Sequence, residues 1–222
     1  MTQYHGGKQR IGLEIAEIIA AIANRCGGEP KGYLEPFSGM LGVYQHIPER
    51  LVVDTYLAGD INKSVITMWG RAQKGWKPPT STTAAQYDTL RTQPRSSALK
   101  GFIGHACSWR GIYFSPFRSR TDLRHSSERV QAIARKVKKV SFVHSEYDKF
   151  AGLKGYVIYC DPPYFKSSRY YDEKGRALKF NHEKFYKWAE RMAKNNLVFI
   201  SENSKLPYKL VATFGDEKLY LI

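Results

Sequence analysis

Residues 156–164 read Tyr-Val-Ile-Tyr-Cys-Asp-Pro-Pro-Tyr, and no other stretch limits the folds open to this chain as tightly. Val157 and Ile158 are β-branched and Tyr156 and Tyr159 are aromatic, the composition of a buried strand. Pro162 and Pro163 carry no backbone donor and fix φ, so the strand must stop there. In open α/β sheets, ligands sit just beyond the carboxyl ends of strands. The run therefore puts a carboxylate (Asp161), the carbonyls of Asp161 and Pro162, and the ring of Tyr164 where ligands bind. That set suits a flat base with an exocyclic amine. The carboxylate and a carbonyl accept the amine's two hydrogens, and the ring stacks on the base.

The surrounding pattern alternates helix and strand. Ile11, Ile15, Ile18, Ile19 and Ile22 fall on one helical face, and Cys26-Gly27-Gly28 ends that helix. Tyr33-Leu34 opens a strand that runs into Glu35-Pro36-Phe37-Ser38-Gly39-Met40-Leu41-Gly42, with a helix expected over Val43–Ile47. A second strand lies within Leu51–Leu57. Asp60 or Asn62 caps a helix through Val65, Ile66 and Trp69. Pro78–Thr83 is a loop, and Arg110-Gly111 is placed to turn a β-hairpin. A helix from Ser127 to about Lys139, a strand at Val140–Val143, a helix from Asn181 or His182 and a last strand at Leu197–Ile200 follow. This order describes an α/β fold with a doubly wound, mostly parallel, Rossmann-like sheet. Residues 1–70 and 126–222 form its body, and 71–125 an insertion.

Charge marks the insertion. The chain carries a net +15, which favours a polyanionic partner. Residues 71–150 hold 16 Lys/Arg against 5 Asp/Glu, and the remainder 19 against 15. A basic segment this concentrated is a contact surface rather than a solubility device. The three cysteines are odd in number and far apart, which excludes a disulfide framework and fits a reducing compartment. His105-x-Cys107 is too sparse a pair for zinc, so no metal site is expected. No apolar run reaches membrane-span length, and a soluble, intracellular protein is expected.

The Glu35–Gly42 turn lets backbone approach a ligand closely. Asp60, at the end of the next strand, can accept hydrogen bonds from a ribose diol. A strand-end acid such as Glu35 disfavours phosphate and favours a nucleoside bearing positive charge. S-adenosylmethionine has that chemistry: ribose, adenine, a sulfonium and an α-amino group. Gly6-Gly7-Lys8 can donate to its carboxylate. A dinucleotide site would need a full Gly-x-Gly-x-x-Gly, which is absent.

In residues and order, four segments resemble the Dam-type (alpha-group) adenine-N6 DNA methyltransferases. They are Tyr4-His5-Gly6-Gly7-Lys8, Glu35-Pro36-Phe37-Ser38-Gly39, Asp60-Ile61-Asn62 and Asp161-Pro162-Pro163-Tyr164. The resemblance covers roughly residues 3–70 and 140–204. It implies S-adenosyl-L-methionine as cofactor, held by Tyr4, Gly7 and Lys8, by Glu35, Pro36, Phe37 and Gly39 at its methionine end, by Asp60 and Ile61 at the ribose, and by Glu146-Tyr147 near its adenine. It implies double-stranded DNA as partner and the 71–125 insertion as the target-recognition region. A restriction endonuclease counterpart is left open. Ile200-Ser201-Glu202-Asn203 resembles a late structural motif. Gly111-Ile112-Tyr113-Phe114-Ser115-Pro116-Phe117 is similar to part of the family's DNA-contacting hairpin. Arg110, Tyr113, Arg118, Arg120 and Arg124 are the DNA-contact candidates, the arginines first for phosphates. Trp109, Tyr113 and Phe114 are read as core before base wedges. Two departures stand out. The second glycine of the turn is displaced by one, putting Leu41 where it narrows the approach to the cofactor. The final hairpin of such sheets is expected to be short or missing.

The chemistry follows. An adenine amine is a poor nucleophile and is hidden in a duplex, so the base is flipped out. Tyr164 stacks on it, with Phe165 or Tyr171 nearby. Asp161 and the Pro162 carbonyl accept its amine hydrogens, directing the nitrogen lone pair at the methyl group, and Pro163 fixes the turn. Holding both reactants in line supplies most of the acceleration. RNA adenine, cytosine N4 of DNA, and a catalytically inert DNA-binding relative are the alternatives.

Overall fold

A strand buried on both faces sends alternate side chains into two different cores, and the central strands here do so. The computed structural model describes residues 7–26, 28–118, 122–165, 170–171 and 177–222, with backbone alone at 170, 171, 177 and 178. Tyr4, Gly6, Gly27 and Arg120 lie outside the described residues, as does the Tyr171 side chain. In chain order, α1 (Gly12–Arg25), β1 (Gly32–Glu35), β2 (Thr55–Asp60) and α2 (Lys63–Gln73) come first. Then come α3 (Ala84–Thr92), α4 (Ala98–Ala106), α5 (Arg124–Lys136), β3 (Val140–His144) and β4 (Tyr156–Cys160). A two-residue ribbon, β5 (Tyr170–Tyr171) with β6 (Ala177–Leu178), precedes α6 (His182–Ala193). The chain continues through β7 (Leu197–Glu202), β8 (Lys209–Phe214) and β9 (Glu217–Leu221).

Seven strands form one sheet in the order β3-β2-β1-β4-β7-β9-β8. The first five run parallel, and β9 enters antiparallel between β7 and β8. Tyr33, Tyr159 and Phe199 point to a core shared with α1, α2, α4 and α5. Their neighbours Leu34, Ile158, Cys160, Val198 and Ile200 point to a second core, with Phe185, Trp188 and Met192 of α6. The doubly wound, mostly parallel α/β sheet expected from the sequence is the fold found.

Four of the helices, α2, α3, α4 and α6, start on a side-chain cap, whereas α1 and α5 do not. The Asn62 side chain accepts from the Ser64 and Val65 amides, and Asn181 accepts from Lys184. No helix among the described residues is long and apolar enough to cross a membrane.

Four expectations need correction. The helix expected at Val43–Ile47 is a single 3₁₀ turn, Tyr44–His46, because Pro48 follows at once and has no amide hydrogen to carry the helical ladder on. The strand expected within Leu51–Leu57 begins only at Thr55 and extends to Asp60. The final hairpin is present in full, turning at Gly215 with φ +63. The hairpin expected at Arg110-Gly111 shrinks to one bridge, Ser108 to Phe117, around a 3₁₀ turn at Trp109–Gly111.

Segment 71–125 carries the helices α3 and α4 and shares the first core, to which Tyr87, Leu90, Phe102, Ile103, Tyr113 and Phe114 belong. Here α4 lies tightly on α2: a methyl group at Gly101 would sit 2.3 Å from the Ser64 carbonyl oxygen. Glycine permits that approach, and any other residue would push the helices apart.

Candidate active site

Strands β2, β1 and β4 are neighbours and parallel, so their carboxyl ends share one edge. Asp60 ends β2, Glu35 ends β1, and Asp161 follows β4 directly. Three acids far apart in sequence thus stand side by side. Each is buried or nearly so, and each is oriented by different partners.

Asp60 accepts from the Gly39 amide at 2.9 Å and the Asn62 amide at 2.8 Å, one on each oxygen. It therefore pins the Glu35–Gly42 turn to the start of α2. Burial raises its pKa, and the two amides oppose that. A carboxylate oxygen can accept more than one hydrogen bond, so Asp60 keeps acceptor capacity toward a diol. Glu35 is 3% exposed and accepts from the Tyr33 hydroxyl at 2.8 Å. Burial pushes its pKa well up, and the Asp161 carboxylate adds to this. A buried acid held so favours a nearby cation.

At Asp161, the Lys8 ammonium donates to both carboxylate oxygens, at 2.7 and 2.8 Å. The Tyr164 hydroxyl donates to the first of them at 3.0 Å. Burial raises the Asp161 pKa to about 6; Lys8 pulls it down, and Glu217 pushes it up. Lys8 lies 4.9 Å from the centre of the Tyr164 ring. Tyr164 donates also to Glu217 at 2.5 Å, and burial with the two carboxylates drives its pKa far up. The Pro-Pro turn is fixed from below: His182 Nε2 donates to the Pro163 carbonyl at 2.8 Å. Glu202, fully buried at the end of β7, accepts from the amides of Phe165, Asn203 and Ser204. Phe165 is 66% exposed beside this turn.

The displaced glycine does not obstruct the site. Leu41 takes φ +54 and its side chain is fully buried in the first core. A small recess under the turn is lined by Gly7, Lys8, Glu35, Gly39, Gly42 and Asp161, without Leu41. Gly42 packs on Lys8, with room for a Cβ only 3.0 Å from the Lys8 amide nitrogen.

A cavity of about 220 Å³ adjoins the edge. Pro36, Phe37, Ile61, Glu146, Tyr147 and Phe180 are among its walls. Phe37 and Tyr147 stand 5.6 Å apart and only 32° from parallel. Phe180 packs edge-on to Phe37 at 5.8 Å. Its walls are mainly apolar and aromatic, with Glu146, Lys179, Asn181 and Lys184 adding polar groups, which suits a flat heterocycle.

Residues 108–117 form a second surface feature. The Tyr87 hydroxyl meets Ser108 Oγ at 2.6 Å and also donates to the Ser115 carbonyl. Ser108 Oγ donates to the Gly104 carbonyl at 2.6 Å, and His105 Nδ1 donates to the Gly111 carbonyl at 3.0 Å. Burial lowers the His105 pKa to about 4, so the ring is neutral and structural. This buried network holds Arg110 at φ +53 and presents Trp109, 58% exposed.

The remaining candidates are dispersed. Arg110 is exposed and Arg118 half-buried, while Arg124 is exposed and bidentate to Asp122, its closest contact 2.8 Å. Tyr113 is 4% exposed and packs on His105 and Phe114, so it is a core residue and not part of the contact surface. Among the described residues, no group of three or more His, Cys, Asp or Glu is arranged to hold a metal.

Sequence reading missed Glu217, Phe180 and His182. The signal for Glu217 was Phe214-Gly215-Asp216-Glu217, a hairpin turn between alternating strands. Phe180 and His182 flank Asn181, the cap of α6, and only the fold brings that cap to the site.

No family model matches the chain, and no curated protein matches it. Among solved structures it is similar to the rRNA methyltransferase aviRa from Streptomyces viridochromogenes. The two share 12% identity and a TM-score of 0.45, over 95% of this chain and 84% of that one. A conserved hypothetical protein of Streptococcus pyogenes aligns over 91% and 92% of the two chains, at 14% identity and a TM-score of 0.40. Likenesses this distant carry no argument about what this chain acts on.

Proposed function

We propose that the chain is an S-adenosylmethionine-dependent methyltransferase that methylates the exocyclic N6 amine of a flipped adenine in DNA. The observation that carries this reading is the contact of Lys8 with Asp161, 153 positions apart. It joins the Gly-Gly-Lys segment to the Asp-Pro-Pro-Tyr segment on the edge that also holds Glu35 and Asp60.

The residues present fit such a cofactor. The aromatic cavity between Phe37, Tyr147 and Phe180 takes an adenine ring, Asp60 faces a ribose, and buried Glu35 attracts the cationic methionine end. When bound, the cofactor supplies an electrophilic methyl group on a sulfonium. The chain's own residues do the rest. Asp161, ionised, accepts one amine hydrogen and so raises electron density on the nitrogen. Tyr164, held by two carboxylates through its hydroxyl, presents a fixed ring face for stacking. His182 and Glu202 keep the turn from shifting, which matters because in-line transfer tolerates little misplacement. Trp109 and Arg110, on their braced loop, offer a stacking ring and a phosphate partner outside the site.

The test is incubation with S-adenosylmethionine bearing a labelled methyl group and matched DNA and RNA, followed by base-resolution mapping. Methyl-N6-adenine in DNA is the expected product. Label confined to RNA, or found on cytosine, would replace the substrate assignment, and no transfer to either would sink the reading.

A further inference from the structure

Glu217 sits where none of the four motif segments reaches. It opens β9, the antiparallel strand beside β7. Since β7 ends at this edge, β9 begins there, and its first residue faces the site. The carboxylate is 13% exposed. It accepts from the Tyr164 hydroxyl at 2.5 Å and lies 3.3 Å from the Lys8 ammonium. Lys8 thus has two anionic neighbours, and at present it occupies both oxygens of the nearer one. Tyr164 also donates to one of those oxygens.

That arrangement poses a difficulty for the reaction. Lys8 and Tyr164 already make three hydrogen bonds to Asp161, so a substrate amine must compete with Lys8 for the carboxylate, and a buried ammonium that gives way cannot simply be left without an anion. Glu217 resolves it. We propose that Glu217 is a positioning residue for methyl transfer, which receives the Lys8 ammonium when Asp161 engages the substrate amine and anchors Tyr164 throughout. The move is short, because Nζ already stands at ion-pair distance from both acids. It needs no change in protonation, and it leaves the tyrosine ring held by Glu217 while its bond to Asp161 is given up. This role rests on the function proposed above.

The variants E217Q and E217A, with Y164F and the E217Q/Y164F double variant, separate the two parts of the role. Glutamine keeps an acceptor for the Tyr164 hydroxyl and removes the charge that receives Lys8. With E217Q, kcat on DNA should fall roughly 10- to 100-fold while cofactor affinity by calorimetry stays unchanged. The double variant should lose nearly as much again only if the hydroxyl anchor is a separate contribution; a loss no greater than that of E217Q assigns the whole effect to Lys8. The acid limb of the rate profile should move to lower pH in E217Q. Glu217 is one of the anions raising Asp161, and the other groups facing it, Lys8, Glu35, Tyr159 and Tyr164, are retained.

A second readout does not depend on turnover. Acetylation of Lys8, followed by mass spectrometry against surface lysines, should quicken in E217Q. Wild-type turnover with an unmoved acid limb and unchanged Lys8 protection in both Glu217 variants would overturn the role. If wild type itself transfers no methyl group, the proposed function fails, and Lys8 labelling alone decides: faster labelling in E217Q supports the Lys8–Glu217 pairing, and unchanged labelling overturns it. Thermal melts of both variants detect a folding defect, and E217Q, nearly the same shape as the native residue, carries the test if E217A fails to fold.

Discussion

The carboxyl edge of the sheet and the loop at residues 108–117 both hold non-glycine backbone at positive φ, and they brace it in opposite ways. At the edge, Leu41 at φ +54 is held by apolar burial. In the loop, Arg110 at φ +53 and Phe114 at φ +48 are held by buried hydrogen bonds from Tyr87, Ser108 and His105. The edge turns its charged groups inward and surrounds them with partners. The loop turns its polar groups inward so that one large ring and one guanidinium face out. The first arrangement is suited to reaction and the second to presentation. Strained backbone alone therefore does not identify the reacting part of the molecule; what it points at does.

The sharpest way to break this comparison is Asp161→Ala. Methyl transfer should fall by roughly 100- to 1000-fold or more, with DNA affinity largely kept. Near-native turnover in a filter-capture assay would place the chemistry elsewhere. Next comes pH. Asp161 must be ionised to accept an amine hydrogen, and its pKa is raised to about 6. The rate should therefore be flat above that value and drop about tenfold per pH unit below it, as the carboxyl takes up a proton. An acid limb near pH 4 would mean that burial does not govern this acid. Gly101→Ala tests the insertion as part of the body. A methyl group pressed on the Ser64 carbonyl should cost about 1–3 kcal/mol in denaturant unfolding. A single melting transition that moves as a whole would show that segment and sheet unfold together. Trp109→Ala should have the smallest effect, weakening DNA binding by about 1–3 kcal/mol, with cofactor binding and stability unchanged. A loss of stability instead would make Trp109 a packing residue.

Much of the edge was legible because each part of it is short and local. A strand, a proline stop and an acid form one continuous run at 156–164, and the Glu35 turn and Asp60 follow the same logic. The insertion was legible only as charge. Its helices α3 and α4 escaped because Tyr87, Phe102 and Tyr113 bury themselves against distant residues, a tertiary effect that no local window carries. The reading of Trp109, Tyr113 and Phe114 as core held for the last two, at 4% and 6% exposure, and failed for Trp109. Periodicity could not separate them, since the 3₁₀ turn at 109–111 interrupts any regular alternation. Glu217 was missed for a topological reason. Only an antiparallel strand brings its beginning to the edge where parallel strands end, and the turn at Gly215 marks a hairpin without marking that its second strand pairs with β7.

The inward side chain of Leu41 has one more consequence. Its burial sets the shape of the turn that carries Gly39 and lies on Lys8, so the stiffness of the binding edge is inherited from the apolar interior below it. Trimming that interior at Leu41, for example to alanine, should loosen ligand grip before it unfolds the chain. The variant should lose about 2–5 kcal/mol of stability, as trimming a fully buried leucine does, yet stay folded and hold its ligand more weakly even well below its melting temperature.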